Sequence, residues 1–437
     1  MIRGGPLIST AHDPGRVIDP IRWPDVAEAR GSAPRAEIAR LLFGAAAARL
    51  PIRVRLSDRW RSDGRLSDGR QLGAGSADAP LMMVHNPGAF FTRLGAGGLI
   101  GFGESYMAGD WDSEDLTGLL TVLAAHVGDL VPTPFQRLRT MAARRLPAAD
   151  DQTKAGARRN IGRHYDLSNE FFGLFLDETM TYSSALFETA ADGSPAAADR
   201  LLGPAQQRKI DRLLDRARVG PGSRLLEVGT GWGELAIQAA RRGALVRTVT
   251  ISARQHELAA RRVAAAGLAD RVSVELRDYR DVSGQYDAIC SVEMIEAVGE
   301  RYWDTYFGQL DQLLAPGGRV ALQTITMPHD RMMASRRTYT WILKYIFPGG
   351  LIPSVAAIED SLGRRTGLRV TERHDFGPHY AQTLQIWRDR FTDRRDEVAA
   401  LGFDEVFMRM WTFYLCYAEA GFRAGYLNVS QLTLDRG

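Results

Sequence analysis

The fold is decided by one stretch of the sequence, Leu225-Leu226-Glu227-Val228-Gly229-Thr230-Gly231-Trp232-Gly233. Arg224–Val228 is predicted to form a short buried strand, and Glu234–Arg242 is predicted to form the helix that follows. The glycines between them predict a tight turn, because glycine bends freely and lets a ligand approach without a Cβ in the way. Ligands in such folds lie beyond the carboxyl ends of the strands. The stretch therefore predicts the ligand-binding turn of an α/β domain.

The spacing of the glycines indicates which ligand this turn suits. Gly229, Gly231 and Gly233 follow a G-x-G-x-G pattern, whereas a dinucleotide fingerprint has G-x-G-x-x-G. Glu227 precedes the first glycine by two residues. An acidic side chain there suits the cationic amino-acid end of S-adenosylmethionine, which we expect as the cofactor.

Strands and helices alternate after this turn, which is the mark of an α/β domain with a largely parallel sheet. We expect a Rossmann-like class I methyltransferase fold with a smaller N-terminal α+β domain. The predicted elements are strands Leu245–Thr250, Val272–Leu276, Tyr286–Val292 and Arg319–Thr324, and helices Ala253–Ala266 and Tyr302–Leu314, with Pro316-Gly317-Gly318 as a turn.

The pattern divides the chain into four parts. Residues 1–34 mix proline, glycine and charge and are expected to be poorly ordered. A smaller N-terminal domain is predicted over 35–146, a linker over 147–159, and the methyltransferase domain over 160–437. Within the first domain the predicted elements are helices Ala36–Leu50, Pro87–Leu94 and Leu116–Val127 and strand Leu81–Val84.

Two further loops carry candidate cofactor residues. Thr250 ends the second strand, and Ser252 and Gln255 follow it, where they could bind ribose hydroxyls; Ser-x-x-Gln is equally a helix capping box, and both interpretations stay open. Asp278, with Tyr279 beside it, is placed to accept a hydrogen bond from an adenine amino group. The alternative for Asp278 is a solvated turn.

Composition limits the class of protein. The chain has 437 residues, 45 % of them hydrophobic and 24 % charged, as in ordinary globular proteins, and its net charge of +3 does not suggest nucleic acid. Two cysteines, no metal-ligand cluster and no apolar leader favour a cytoplasmic protein without a metal site. One basic stretch is either a solvated linker or a surface for anionic phospholipid; it contains Arg137, Arg139, Arg144, Arg145, Lys154, Arg158 and Arg159.

Several motifs together resemble the cyclopropane-fatty-acid synthase family. Within it, the sequence is most similar to the actinobacterial fatty-acid methyltransferases of the tuberculostearic (10-methylstearic) acid pathway. The matching segments are 99–107, 164–169, 180–183, 227–233, 250–255, 278–281, 294–296, 344–350 and 376–380, with 102–110, 291–299 and 323–328 favouring the tuberculostearic branch.

The resemblance implies an activity, a lipid-associated role for the N-terminal domain over 35–146, and an acyl-chain site in the methyltransferase domain over 160–437. A methyl group would pass from S-adenosylmethionine to the double bond of an oleoyl-type chain on a phospholipid, giving a 10-methylene product that a partner reductase saturates. The enzyme would sit peripherally on the anionic inner membrane surface, and a homo-oligomer stays open. The alternative product is the cyclopropane.

The resemblance also implies the site residues. The cofactor would contact Tyr182, Ser183, Glu227, Gly229, Gly231, Thr250, Ser252 and Gln255, and a bicarbonate would be held by Ser184, Glu296, Gln323, Ile325 and Tyr380. Cyclopropane synthases have Cys at the position of Ser184 and His at that of Gln323. We expect Glu296, or bicarbonate held by Glu296 and Tyr380, to be the base; a helix-start carboxylate is the alternative for Glu296.

Two rival functions fit the sequence less well. A methyltransferase acting on a nucleobase amino group would carry an Asn/Asp-Pro-Pro-aromatic loop, where this chain has Glu293-Met294-Ile295-Glu296. A non-catalytic lipid carrier on the same scaffold would not need the intact turn Glu227–Gly233.

Overall fold

The computed structural model describes residues 17–57, 71–126, 152–154, 156–157, 167–196 and 198–436. Contacts divide this part of the chain into two units. The first contains the described residues up to 126 together with Tyr339–Tyr345 and Arg395–Ala424, and the second contains the remainder. Both segments lie within the predicted methyltransferase domain 160–437, yet their contacts group them with the N-terminal residues. The helical pattern of a segment does not reveal which neighbour it packs on.

The first unit has a four-stranded sheet in the order β2-β1-β3-β4. Its strands are β1 Arg53–Leu56, β2 Gln71–Leu72, β3 Leu81–Val84 and β4 Trp111–Asp112, and only the β1–β3 pair is parallel. Its helices are Pro24–Ala27, Ala33–Ala47, Pro87–Gly97, Leu99–Ala108, Leu116–Ala125, Trp341–Tyr345, Arg395–Ala400 and Glu405–Arg423.

The described part of the N-terminal segment contains one short helix. Residues 1–34 were expected to be poorly ordered, and within 17–34 the structure has helix Pro24–Ala27. The indole Nε1 of Trp23 donates a 2.7 Å hydrogen bond to Asp404, and Val26 is fully buried. One aromatic and one aliphatic anchor therefore hold this segment against its unit.

The second unit is built on a seven-stranded sheet in the order β10-β11-β9-β8-β5-β6-β7. Strands β7, β6, β5, β8 and β9 are parallel, and β11 and β10 are antiparallel additions at one side. The strands are β5 Arg224–Val228, β6 Leu245–Thr250, β7 Val272–Leu276, β8 Tyr286–Val292, β9 Leu314–Thr326, β10 Leu368–Asp375 and β11 Asn428–Arg436. The helices are Asn169–Gly173, Leu202–Arg216, Glu234–Arg241, Ala253–Ala265, Ile295–Val298, Trp303–Leu313, His329–Ser335, Val355–Arg365 and Gly377–Asp393, and short 3₁₀ turns lie at Asp199–Leu201, Tyr279–Asp281 and Glu300–Tyr302.

Apolar side chains on both faces of the central strands hold this sheet in place. Successive side chains of a strand point to opposite faces. Accordingly Leu225 and Ala288 belong to one buried cluster, and Leu226 and Ile289 belong to another. Both clusters are covered by helices, as is usual for parallel strands. The predicted α/β sheet is confirmed.

Strands β5 to β8 have the predicted bounds, but β9 does not. It begins at Leu314 and ends at Thr326, so that Pro316-Gly317-Gly318, predicted as a turn, lies within it. Gly317 has φ +74°, and the pairing with β8 is irregular nearby. The glycines therefore form an irregularity in a longer strand. Strands β10 and β11 were not predicted.

Some predicted features fall beyond what the structure describes. Of the basic residues in the stretch 137–159, Lys154 is the one whose side chain lies among the described residues, and it pairs with Asp281. The motif 164–166 also lies outside the described residues. In the part of the chain that is described, no helix is long and apolar enough to cross a membrane.

Candidate active site

A cleft lies at the carboxyl ends of β5, β6, β7 and β8. The residues that follow these strands meet there, because the carboxyl ends of parallel strands share one edge of the sheet. Gly233 and Ser252, both predicted to bind the cofactor, are absent from the cleft lining. The predicted cofactor residues that line it are Tyr182, Ser183, Glu227, Gly229, Gly231, Thr250, Gln255, Asp278 and Tyr279.

The glycine turn has the backbone that the sequence predicts. Gly229, Gly231 and Gly233 all have positive φ, at +97°, +52° and +92°. A Cβ on Gly229 would lie 2.6 Å from the Met294 side chain, whereas a Cβ on Gly231 would meet no atom within 4 Å. A Cβ on Gly233 would lie 3.2 Å from that of Ala259. Gly231 therefore leaves space on the cleft side, and Gly233 serves helix packing.

Glu227 is the acidic group beneath the turn. Its side chain is buried, and Oε2 accepts a 2.6 Å hydrogen bond from the Thr248 hydroxyl. Burial raises the pKa of Glu227 to about 8, against the lowering effect of that hydrogen bond. A cation entering the cleft beside it would favour the charged carboxylate.

The loop after β6 separates the two interpretations of Ser252 and Gln255. The Ser252 hydroxyl accepts a 3.3 Å hydrogen bond from the Gln255 backbone amide, so Ser252 caps helix Ala253–Ala265. The Gln255 side chain does not complete a capping box, because its Oε1 accepts a 2.8 Å hydrogen bond from the Thr250 hydroxyl. Gln255 and Thr250 therefore face the cleft, and Ser252 supports the helix.

Asp278 lines the cleft but already has a strong partner. Arg280 donates to both of its carboxylate oxygens, at 2.8 and 2.7 Å. Burial alone would raise the pKa of Asp278, but the hydrogen bonds from Arg280 outweigh it and hold the pKa below its usual value. Asp278 is thus an ionised acceptor fixed by Arg280, which argues against a freely solvated turn.

A second group of polar side chains meets at Glu293, directly after β8. Its Oε1 accepts hydrogen bonds from the Ser184 backbone amide and the Gln323 side-chain amide, both 2.9 Å long. Its Oε2 accepts from the Tyr380 hydroxyl at 2.7 Å. Glu293 also lines the cleft. Burial raises the pKa of Glu293, against the effect of these donors and of Lys209.

Glu296 lies in a separate arrangement. Its Oε1 accepts from the Ile325 backbone amide and, at 2.9 Å, from the Thr324 hydroxyl. Its Oε2 is buried without a hydrogen-bond partner among the described residues. Burial first, and then the neighbouring Glu293 carboxylate, raise the pKa of Glu296 to about 8. The Tyr380 hydroxyl, expected with Glu296 to hold bicarbonate, donates to Glu293.

Lys209 and Trp387 extend these two groups. Lys209 is fully buried, lines the cleft and donates a 2.7 Å hydrogen bond to the Ser183 hydroxyl. Burial lowers the pKa of Lys209 to about 8, although the Glu293 charge raises it. The ring of Trp387 stacks on Tyr182 at 5.2 Å and meets the edge of Tyr380 at 6.2 Å. Trp387 therefore joins the cleft wall to the Glu293 group.

Sequence reasoning gave no role to Glu293, Lys209 or Arg280. A signal existed for Glu293, since it follows β8 immediately and lies nearer the strand end than Glu296. Lys209 lies four residues before the apolar Leu213, which places both on one face of helix Leu202–Arg216, and a lysine on a buried helix face is unusual. Arg280 follows Asp278 by two residues, and nothing in that spacing predicts a bidentate pair.

The sheet, the glycine turn and the cleft beside Glu227 define an α/β methyltransferase that uses S-adenosylmethionine. The family model described as mycolic acid cyclopropane synthetase matches residues 152–432. The chain therefore belongs to the mycolic acid cyclopropane synthetase family, and it is an S-adenosylmethionine-dependent methyltransferase. The family resemblance read from the motifs is confirmed.

Individual relatives cover most of the chain. The tuberculostearic acid methyltransferase UfaA1 of Mycobacterium tuberculosis is 54 % identical over 433 residues, covering 98 % of this chain and 99 % of that protein. The cyclopropane-fatty-acyl-phospholipid synthase of Escherichia coli is 36 % identical over 366 residues, covering 83 % of this chain and 89 % of that protein. A solved structure of the mycolic acid cyclopropane synthase CmaA1, complexed with SAH and CTAB, has a TM-score of 0.57 and 32 % identity, covering 63 % of this chain and 97 % of that chain.

Proposed function

We propose that the chain transfers a methyl group from S-adenosylmethionine to the double bond of an oleoyl-type acyl chain, as a step towards 10-methylstearic (tuberculostearic) acid. The observation that carries this proposal is the 54 % identity with a tuberculostearic acid methyltransferase over 98 % of the chain. The cleft supports it, because a carboxylate group at Glu293 borders the place where the methyl donor would bind.

In this proposal the cleft residues orient the cofactor. Glu227 faces the amino-acid end, Thr250 and Gln255 face the ribose, and Asp278 accepts from the adenine amino group. The open space beside Gly231 leaves room for the cofactor to approach the turn. S-adenosylmethionine supplies an electrophilic methyl on a sulfonium sulfur.

The acyl double bond is the nucleophile. Its π electrons form the new carbon–carbon bond, and the electrons of the sulfur–methyl bond stay on sulfur. The neighbouring acyl carbon becomes a cation, which needs exclusion of water and a negative group nearby. A hydride shift to that carbon, followed by loss of a proton from the transferred methyl, leaves a 10-methylene group. Direct loss of the methyl proton closes a cyclopropane.

The proposals about the carrier of the acyl chain and about the cellular partners are based on the sequence. An acyl phospholipid on an anionic membrane surface would be reached through the basic stretch 137–159, and a reductase would saturate the methylene product. If this is so, binding to anionic vesicles weakens with salt, because exposed charges are screened over about 8–10 Å at physiological ionic strength. Equal binding to neutral and anionic vesicles would contradict the membrane role.

Expression in a host whose phospholipids contain oleate tests the activity. The host is fed methionine with a trideuterated methyl group, and its lipids are analysed by mass spectrometry. We expect new acyl chains that are heavier by one CD₂ group, since one label leaves as the proton. Absence of these chains, with the protein expressed and folded, would overturn the proposed function. An Asp278→Asn variant with reduced incorporation would support the placement of the cofactor.

A further inference from the structure

The donors expected to hold bicarbonate are already bound by carboxylates of the chain itself. Of the donors expected for that anion, the Ser184 amide, the Gln323 amide and the Tyr380 hydroxyl all bind the Glu293 carboxylate. The Ile325 amide binds Glu296. Bicarbonate and a carboxylate present the same pair of oxygens to donors. The chain's own carboxylate therefore occupies the set of donors that an external anion would need.

The orientation of Gln323 is fixed toward Glu293. Its Oε1 accepts a 3.2 Å hydrogen bond from the Gln431 side-chain amide, and that same amide donates to the Lys209 carbonyl at 3.1 Å. An amide nitrogen can only donate, so the Gln323 atom that faces Gln431 must be its oxygen. The NH₂ group of Gln323 therefore faces Glu293. If the Gln323 amide rotated by half a turn, it would lose both the hydrogen bond from Gln431 and the hydrogen bond to Glu293.

The backbone at Glu293 also points to a functional position. Its φ is +48°, in the left-handed region that residues other than glycine seldom adopt. Such strained residues concentrate at active sites, where the surrounding structure holds them in place. The conformation turns the carboxylate toward the Ser184–Gln323–Tyr380 donors and toward the cleft that it lines.

We propose that Glu293 replaces bicarbonate in this enzyme and is itself the base that removes the proton from the transferred methyl group. This rests on the proposed function. The C–H bond of the methyl breaks, its electron pair forms the double bond to the methyl-bearing carbon, and the proton passes to a Glu293 oxygen. Glu293 becomes a neutral carboxylic acid, and no external anion takes part. The negative charge of Glu293 also faces the carbocation before the proton is lost.

Two substitutions at Glu293 test this assignment. In Glu293→Gln the shape is kept and the base is lost, and we expect at least about a 100-fold loss of methylation with cofactor affinity changed less than threefold. Glu293→Gly tolerates the positive φ and empties the space between the donors. We expect this variant to be inactive alone and to regain activity when bicarbonate is added. Glu300→Gln, at a carboxylate paired with Arg336, is the matched control and should behave like the parent.

Binding of bicarbonate gives a readout that does not depend on turnover. Titration with ¹³C-labelled bicarbonate, followed by NMR, should show no saturable binding to the parent enzyme and saturable binding to Glu293→Gly. Saturable binding to the parent, a parent that requires bicarbonate for turnover, or a fully active Glu293→Gln would each overturn the proposal. If the parent methylates no acyl chain, the proposed function fails, and the bicarbonate titration still decides whether Glu293 fills the anion site.

Discussion

At the scale of single residues, local requirements were predictable and distant partners were not. The turn around Gly229 and Gly231 could be recognised because a positive φ beside a ligand is a demand made on one residue at a time. Glu293 could not be recognised in the same way. Its partners Ser184, Gln323 and Tyr380 lie 109, 30 and 87 residues away along the chain. Which of two nearby glutamates they bind depends on how β8 and β9 are aligned.

Glu227 gives a prediction about proton release. Its pKa is raised to about 8 by burial, so at pH 6.5 the carboxyl is mostly protonated. The amino group of S-adenosylmethionine, with an ordinary pKa of about 8, is then charged. The cation beside Glu227 favours the carboxylate, so that binding at pH 6.5 should release up to one proton. The affinity for the cofactor should therefore rise as the pH increases from 6.5 towards the Glu227 pKa of about 8.

Calorimetry in two buffers of different ionisation enthalpy measures this release. The apparent binding enthalpy of the parent at pH 6.5 should differ between the buffers, because Glu227 releases a proton. Near pH 9.5 the difference should reverse sign, because Glu227 is already ionised and the amino group of the ligand must then take up a proton to bind as the cation. Glu227→Gln should bind more weakly and should show no buffer dependence at pH 6.5. A parent enzyme with the same enthalpy in both buffers would rule out a coupled titration of Glu227.

At the scale of secondary structure, the strands β5 to β8 were predictable because each is a short segment rich in aliphatic residues and bounded by glycine or polar residues. Strands β5 to β8 have the predicted bounds. Strands β10 and β11 were missed, because their pairing joins distant segments: β11 pairs with β9, so that Leu432 lies opposite Leu322. Such pairing is decided by tertiary contacts rather than by local pattern.

Ser252 allows the capping and cofactor-binding roles to be distinguished by experiment. It caps helix Ala253–Ala265, so Ser252→Ala should lower the free energy of unfolding by about 1 kcal/mol, while Ser252→Gly should cost only a few tenths. Cofactor affinity should change less than threefold in both variants. Ser354→Ala, at the N-cap of helix Val355–Arg365, is the matched control. A loss of cofactor affinity beyond tenfold in Ser252→Ala, without lost stability, would instead favour a direct contact.

Replacing either of two helical glycines in the first unit by alanine should change the free energy of unfolding, in opposite directions for the two positions. A Cβ on Gly101 would lie 1.9 Å from the backbone oxygen of Arg93, whereas a Cβ on Gly44 would meet nothing within 4 Å. Gly101→Ala must therefore push helix Leu99–Ala108 away from helix Pro87–Gly97, and should cost about 1–3 kcal/mol. Gly44→Ala should stabilise by about 0.4–1 kcal/mol, because alanine loses less backbone freedom on folding. Thermal unfolding measures both, and an unchanged midpoint for Gly101→Ala would contradict the close helix contact.

At the scale of the whole molecule, the division into units exceeded what local pattern could reveal. Helix Glu405–Arg423 belongs to the first unit although it lies near the end of the chain. Its Arg409 side chain donates to Asp112 at 2.7 Å and is almost fully buried. An arginine among aromatic residues gives no local sign that its partner lies in an N-terminal strand.

The product of the reaction tests the enzyme as a whole, because it depends on the order of steps after methyl transfer. The carbocation can lose a methyl proton at once and close a cyclopropane, or it can first undergo a hydride shift and then give a methylene group. Gln323 stands where cyclopropane synthases carry histidine, and its amide is held between Glu293 and Gln431. A neutral amide cannot carry the proton away, so we expect a cation that survives long enough for the hydride shift.

The prediction is therefore a methylene-branched product, and oleate with deuterium on both vinylic carbons tests it. After a hydride shift both deuterium atoms reside on the carbon next to the methylene-bearing one, whereas a cyclopropane keeps one deuterium on each ring carbon. NMR separates the two products, which have the same mass. A difference of about 1.4 kcal/mol between the activation free energies of the two routes changes the product ratio tenfold, so a single side chain can decide the outcome. Gln323→His should accordingly raise the cyclopropane share, and a parent product with one deuterium on each ring carbon would show that the proton leaves before the shift.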